Sequence, residues 1–135
     1  FATFPEELTD LPQLEVLDLQ ANELITITDE IDELEHLKAL NVQNNKIGVL
    51  PKDIVKLGSL EMLLLTDNQL KTLPKKIHKM DNLRQLDISY NQIHMLPNTF
   101  ARLEQLQMLD LSENNLNRDF IKQLEQDMPG TQIYF

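Results

Sequence analysis

The chain has 135 residues, with no cysteine and no tryptophan, and carries 22 acidic against 12 basic side chains, for a net charge of −10. A chain of this length forms one domain of ordinary size with a substantial core. The missing cysteines exclude disulfides, zinc-thiolate sites and thiol nucleophiles, and the negative charge argues against nucleic acid as a partner. No apolar run approaches the roughly 20 residues of a spanning helix, so we expect no membrane insertion.

A repeat with a period of 23 residues runs through most of the chain. Its first half follows the frame L-x-x-L-x-L-x-x-N-x-L, which begins at Leu14 and recurs in every later unit. Its second half reads L-P-x-x-I-x-x-L, as in 50–57, 73–80 and 96–103. The central leucines and the asparagines keep their spacing without a slip: Leu17, Leu40, Leu63, Leu86 and Leu109; Asn22, Asn45, Asn68, Asn91 and Asn114.

The frame predicts the local structure of each repeat. In the segment L-x-L, alternate side chains face opposite sides of a strand, so Leu17 and Leu19 point inward and Asp18 points outward. Stacked repeats therefore form a parallel sheet on one face. The asparagine follows the strand, where its amide can donate to and accept from backbone groups that would otherwise be buried unpaired. Proline in the second half suits an irregular return on the opposite face.

These motifs resemble the leucine-rich repeat proteins of the 23-residue subtype with an LPxxIxxL second half, and the resemblance covers residues 4 to about 116. It implies an α/β solenoid, a right-handed horseshoe segment with a parallel concave sheet and an irregular or 3-10 convex side. Similar proteins include intracellular Ras-binding scaffolds and many bacterial surface or secreted proteins.

The two ends depart from the repeat. Residues 1–11 match only the second half of a unit; either they serve as a cap or a strand and cap precede them in the native protein, and we favour the latter. We expect repeats over 1–116, as a partial unit followed by five full ones, and a C-terminal cap over 117–135.

The predicted cap combines a helix and a strand. Asn117 is expected to be the N-cap of the helix, whose apolar stripe includes Phe120, Ile121 and Leu124. Pro129-Gly130 ends the helix, and 131–135 is expected to pair with the last edge of the sheet. This block resembles the C-terminal caps of spirochaete-type repeat proteins.

Exposed strand positions form the concave face, where repeat solenoids bind their partners. A solvated strand needs no large apolar side chain, yet Met62, Leu64 and Met108 occupy such positions. An apolar centre within a polar rim is typical of a protein-binding patch. The predicted protein-binding residues are Met62, Leu64, Arg84, Asp87, Tyr90 and Met108.

Charges are unevenly distributed along the chain. In the column after the first leucine, Glu15, Lys38, Glu61 and Arg84 alternate in sign, which predicts a lateral ladder of ion pairs. Residues 1–45 hold 11 acidic and one basic side chain, a net of −10, whereas residues 46–92 hold five acidic and eight basic, a net of +3. Most of these charges belong to the convex side. They indicate a solvated face or, as an alternative, salt-sensitive self-association.

We find no pattern typical of catalysis. His36, His78 and His94 fall at different places in their repeats, and no metalloprotease, nucleophile-elbow or phosphate-binding motif occurs. Asp87 and Asp110 lie on neighbouring strands, but an open sheet offers no deep pocket for a carboxylate pair. We therefore expect no enzyme activity, no cofactor and no metal site.

The sequence thus predicts a non-catalytic protein-protein recognition module that uses its concave face. Its resemblances favour a bacterial secreted or cell-surface protein that meets a host protein. The alternatives are a cytoplasmic scaffold of the Ras-group type and a self-assembling structural protein.

Overall fold

The computed structural model describes all 135 residues, and its main feature is one open sheet of six short parallel strands. The strands follow one another in chain order, and each pairs with the next. Residues 23 apart face each other between repeats, for example Leu40 and Leu63. The predicted parallel solenoid sheet is therefore confirmed. The strands are β1 (Val16–Asp18), β2 (Ala39–Asn41), β3 (Met62–Leu64), β4 (Gln85–Asp87), β5 (Met108–Asp110) and β6 (Gln132–Tyr134).

Short 3-10 helices form the convex side opposite the sheet, as predicted. Pro51 precedes one of them with φ at −63°, and its carbonyl accepts a hydrogen bond from Ile54 N–H at 3.1 Å. Because proline has this φ built in and needs no donor partner, it starts the turn at little entropic cost. The 3-10 helices are η1 (Glu6–Asp10), η2 (Asp29–Glu33), η3 (Lys52–Lys56), η4 (Ile77–Lys79) and η5 (Phe100–Arg102).

The core lies between the sheet and the 3-10 helices. Leu63 of β3 and Ile54 of η3 are both fully buried, and equivalent residues of the other repeats join them in one continuous cluster of 33 side chains. Each repeat buries its apolar side against its neighbours, so the sheet is a rigid platform for the side chains on its outer face.

The repeated asparagines tie the repeats together, as the sequence predicts. Asn68 is buried; its Nδ2 donates to Leu65 O at 3.1 Å and to Val42 O of the preceding repeat at 3.0 Å. Its Oδ1 accepts from Ile47 N–H at 2.9 Å. One side chain therefore satisfies three backbone groups at the point where the strand ends.

The C-terminal segment also has the predicted elements. The helix α1 (Arg118–Asp127) begins at Asn117, whose side chain accepts from Asp119 N–H at 2.8 Å. Ile121 and Leu124 are buried against the last repeat. Strand β6 then extends the sheet beside β5.

At the other end, residues 1–11 adopt the structure of the second half of a repeat, as predicted. Glu23 N–H donates to Phe1 O at 2.8 Å, the same bond that Lys46 N–H makes to Leu24 O at 2.8 Å one repeat later. Phe4 is buried, and η1 packs beside η2.

Candidate functional site

Two columns of side chains project from the concave face of the sheet. Because alternate residues face the same side, the first and last residue of each three-residue strand point outward. The first column consists of Val16, Ala39, Met62, Gln85, Met108 and Gln132. The second consists of Asp18, Asn41, Leu64, Asp87, Asp110 and Tyr134.

The polar members of the second column cap their own backbone. Asp87 Oδ1 accepts from Ser89 N–H at 3.0 Å, and Asp110 Oδ1 accepts from Ser112 N–H at 2.9 Å. This local turn satisfies a donor that the strand leaves free as it ends. The same bond forms in the first two repeats, at 3.0 Å from Asp18 Oδ1 to Gln20 N and at 3.1 Å from Asn41 Oδ1 to Gln43 N.

Leu64 breaks this column. It has no side-chain oxygen, and Thr66 N–H, the donor that the cap satisfies elsewhere, forms no hydrogen bond within the protein. Leu64 and its neighbour Met62 are both half-buried on the outer face of β3. The third repeat therefore presents an apolar surface beside a free backbone donor, where the other repeats present a satisfied polar turn.

Beside this surface, Asp87 keeps part of its hydrogen-bonding capacity. Its Oδ1 also accepts from Ser89 Oγ at 2.6 Å, and Ser89 Oγ lies 3.2 Å from Thr66 Oγ1. The carboxylate is thus held in place through one oxygen, and no bond in the protein uses the other. A held carboxylate oxygen next to a free N–H can engage a peptide group of a bound chain.

Tyr90 follows β4 in a left-handed backbone conformation, with φ at 52°, and its side chain is 58% exposed. Left-handed φ is unfavourable for a bulky residue, and a rigid neighbourhood must hold it there. The bond from Tyr90 N–H to Ser112 O at 2.9 Å contributes to this. The equivalent residues of the other repeats are also left-handed: Ala21, Asn44, Asp67 and Glu113.

The structure separates the predicted apolar centre into two parts. Met62 and Leu64 lie together on β3, whereas Met108 lies two strands away on β5, with Gln85 of β4 between the two methionines. Arg84 stands immediately before β4, is exposed, and has no carboxylate within ion-pair distance. The assignment of these side chains to binding stays a prediction.

Of the expected lateral ladder of ion pairs, only one step is formed. Lys38 Nζ lies 3.1 Å from Glu15 Oε1, while Glu61 pairs with neither Lys38 nor Arg84. Register brings the charges to adjacent strands, but at exposed positions the gain from pairing is too small to fix a rotamer.

Two concave residues escaped the sequence interpretation. Val16 is 64% exposed on β1, and Tyr134 is 43% exposed on β6, where it faces Asp110. The signal for Val16 was its place in the first column. Tyr134 lies outside the repeat, because β6 pairs with β5 at an offset of 24 residues instead of 23, as Met108 opposite Gln132 shows.

The histidines do not converge on one place. His78 Nδ1 lies 3.0 Å from Thr99 Oγ1 on the convex side, and the structure contains no cluster of three or more potential metal ligands. None of its helices combines the length and hydrophobicity of a membrane span.

Comparison with known proteins identifies the family. The family described as leucine-rich repeat region matches residues 2–126. The chain belongs to this family. No match was found among curated proteins.

Solved leucine-rich repeat structures agree with this assignment. A protein of Leptospira interrogans is 35% identical, with a TM-score of 0.94; the alignment covers 98% of this chain and 34% of that one. The chain therefore spans about a third of the length of the Leptospira protein.

Two plant receptors are also similar. The ectodomain of the Arabidopsis thaliana receptor kinase GASSHO1/SCHENGEN3, in complex with CASPARIAN STRIP INTEGRITY FACTOR 2, is 38% identical with a TM-score of 0.77, over 84% of this chain and 14% of that one. The plant peptide hormone receptor RGFR1, in complex with RGF2, is 32% identical with a TM-score of 0.82, over 98% and 22%.

Proposed function

We propose that this chain is a non-catalytic recognition module that binds an extended segment of a protein partner on its concave face. The contacts come from Met62 and Leu64 at the centre, from Tyr90 and Met108 at the sides, and from Arg84 and Asp87 as polar groups. The observation that carries this proposal is Leu64, which replaces a self-capping polar residue and leaves Thr66 N–H free.

The arrangement suits a polypeptide more than a small ligand. An extended chain offers a carbonyl to Thr66 N–H, an N–H group to the free oxygen of Asp87, and apolar side chains to Met62 and Leu64. The surface is an open platform without a deep pocket, and six strands at about 4.8 Å spacing give a face roughly 25 Å across. Such a face supports an interface of about 800 Å² per partner.

Tyr90 supports the same surface independently. A residue held in an unfavourable backbone conformation, with more than half of its side chain exposed, brings little to packing. Tyrosine is, however, among the side chains enriched at protein interfaces, because its ring is rigid and carries a polar group. Retention of tyrosine at this position is therefore easier to explain by recognition than by stability.

The structural relatives support this type of function and suggest a setting for it. Two of them are plant receptors solved in complex with ligands, RGF2 in one case and CASPARIAN STRIP INTEGRITY FACTOR 2 in the other. The likeness to the Leptospira protein and the C-terminal cap support a bacterial origin. We propose a secreted or cell-surface protein that binds a protein of a host.

Capture from extracts tests the proposal. The immobilised chain is exposed to host extracellular and cytosolic extracts beside a variant with Met62→Gln and Tyr90→Asn. A matched control carries Met95→Gln and Ile25→Asn, because Met95 and Ile25 are each 60% exposed but lie outside the sheet. Bound proteins are quantified by mass spectrometry.

We expect an extracellular protein that the wild type and the control retain and that the concave variant loses by at least about tenfold, which is about 1.4 kcal/mol. Equal retention by the concave variant would refute the site. A partner found only in the cytosolic extract would refute the proposed location and favour the intracellular scaffold.

A further inference from the structure

A groove of about 580 Å³ lies on the convex surface between η3 and η4. Its rim carries five lysines, and only Lys56 has an ion-pair partner, with Nζ at 3.3 Å from both Asp32 and Asp53. The other four have no carboxylate within ion-pair distance. We call this feature the basic groove: Lys52, Lys56, Lys75, Lys76 and Lys79 around Val49 and Val55.

An acidic surface adjoins the basic groove on the same convex side. Seven of its carboxylates are exposed and take part in no ion pair. They belong to η1 and η2 or lie close to them. The acidic surface consists of Glu6, Glu7, Asp10, Asp29, Glu30, Glu33 and Glu35.

The contact between Lys56 and Asp32 marks the boundary of these two surfaces and shows that charges of neighbouring repeats can pair. The remaining charges are segregated along the axis and cannot reach one another within a single chain. A second copy turned by 180° about an axis at this boundary would place each acidic surface over the other copy's basic groove. Such an arrangement is self-complementary and closes as a dimer.

We propose that this chain forms a two-fold symmetric dimer through its convex face, with the acidic surface of each copy seated on the basic groove of the other. The occupant of the groove is a second copy because the complementary charges, in adjoining patches of similar extent, are present on the chain itself. The apolar side chain of Val49, which is 69% exposed at the groove, adds contact area.

The dimer is expected to be weak and sensitive to salt. It depends on exposed charges, whose attraction is screened within about 10 Å at 0.1 M salt and about 3 Å at 1 M, and each copy has a net charge of −10. Pairing through the convex sides leaves both concave faces open. The dimer would therefore present two recognition sites at once and gain avidity for a multivalent partner.

Sedimentation equilibrium with charge exchange tests this proposal. One variant carries Lys75→Glu and Lys76→Glu, and a second carries Glu30→Lys and Glu33→Lys. A control carries Arg118→Glu and Lys122→Glu on α1, which changes the net charge as much as the first variant but at exposed positions far along the chain from the groove. Circular dichroism checks that every variant is folded.

We expect the wild type and the control to dimerise at low salt and to dissociate near about 0.5 M salt. Each groove or acidic-surface variant alone should dimerise at least tenfold more weakly. An equimolar mixture of the two should restore a dimer, since the exchanged charges then match again.

Several results would overturn the proposal. A wild type that stays monomeric up to millimolar concentration at low salt would do so, as would a dimer that neither charge variant weakens. Assemblies that grow beyond two copies would replace the closed dimer by a head-to-tail contact. A monomer that binds a polyglutamate peptide through Lys75 and Lys76 would assign the groove to an acidic segment of another protein.

Discussion

Asn45 Nδ2 donates to Leu19 O at 3.0 Å, so the asparagine of one repeat holds the backbone of the repeat before it. The same bond recurs along the solenoid, from Asn68 to Val42 O at 3.0 Å and from Asn91 to Leu65 O at 3.0 Å. These buried bonds hold the repeats in register. They therefore fix the relative positions of the concave side chains.

The first prediction concerns this ladder. Asn68→Ala leaves Ile47 N–H, Leu65 O and Val42 O without their partner, and it should lower the free energy of unfolding by about 3 kcal/mol. The control is Asn22→Ala, because the amide of this half-buried asparagine donates only within its own turn. It should lower the free energy of unfolding by about 1 kcal/mol. Urea denaturation measures both, and equal effects would contradict the proposed role of the cross-repeat bond.

The second prediction concerns the backbone of Tyr90. Asparagine tolerates left-handed φ better than tyrosine, so Tyr90→Asn should raise the free energy of unfolding by about 1 kcal/mol. The reverse change serves as control: Asn44 occupies the equivalent position at φ 55°, and Asn44→Tyr should destabilise by a similar amount. Thermal and urea denaturation give both values. Destabilisation by Tyr90→Asn would show that the ring is needed for packing.

The third prediction concerns the pH dependence of the boundary ion pairs. Hydrogen bonds to Asp53 and then to Asp32 raise the pKa of Lys56 above its ordinary value of 10.5. A lysine whose pKa is raised on folding adds stability below its unfolded-state pKa, and this contribution is lost as the pH rises through the folded-state pKa. Asp53→Asn should therefore lower the pKa of Lys56 and reduce stability at pH 8 but not above the folded-state pKa.

An NMR titration of the Lys56 side chain follows this change directly, and urea denaturation at both pH values follows its effect on stability. An unchanged midpoint in Asp53→Asn would show that the carboxylate does not hold the ammonium in solution.

Periodicity predicted most of the fold because the period and the register are the same quantity. Once Leu40 and Leu63 are 23 residues apart, their strands pair residue for residue, and the intervening chain has to return on the other side. The cap could be predicted only as elements, a helix after Asn117 and a strand over 131–135. Its offset of 24 residues, which places Tyr134 on the concave face, has no counterpart in the repeat.

The candidate site was less accessible for a physical reason. The column of Asp18, Asn41, Leu64, Asp87 and Asp110 is visible in the sequence, and Leu64 stands out there as apolar. Its second consequence, the free Thr66 N–H, depends on backbone geometry that follows the strand and is not part of any hydropathy pattern. The left-handed conformation of Tyr90 likewise arises from the turn and not from the identity of the residue.

The most direct test of the account is Leu64→Asn, measured for both stability and affinity toward the captured partner. Asparagine restores the cap on Thr66 N–H seen at Asn41 but removes the apolar surface, so the free energy of unfolding should change by no more than about 1 kcal/mol. The neighbouring Leu63 is fully buried, and Leu63→Asn should cost several times more. We expect Leu64→Asn to weaken binding at least about tenfold. Unchanged binding, or a loss of stability as large as that of Leu63→Asn, would contradict a recognition surface centred on Leu64.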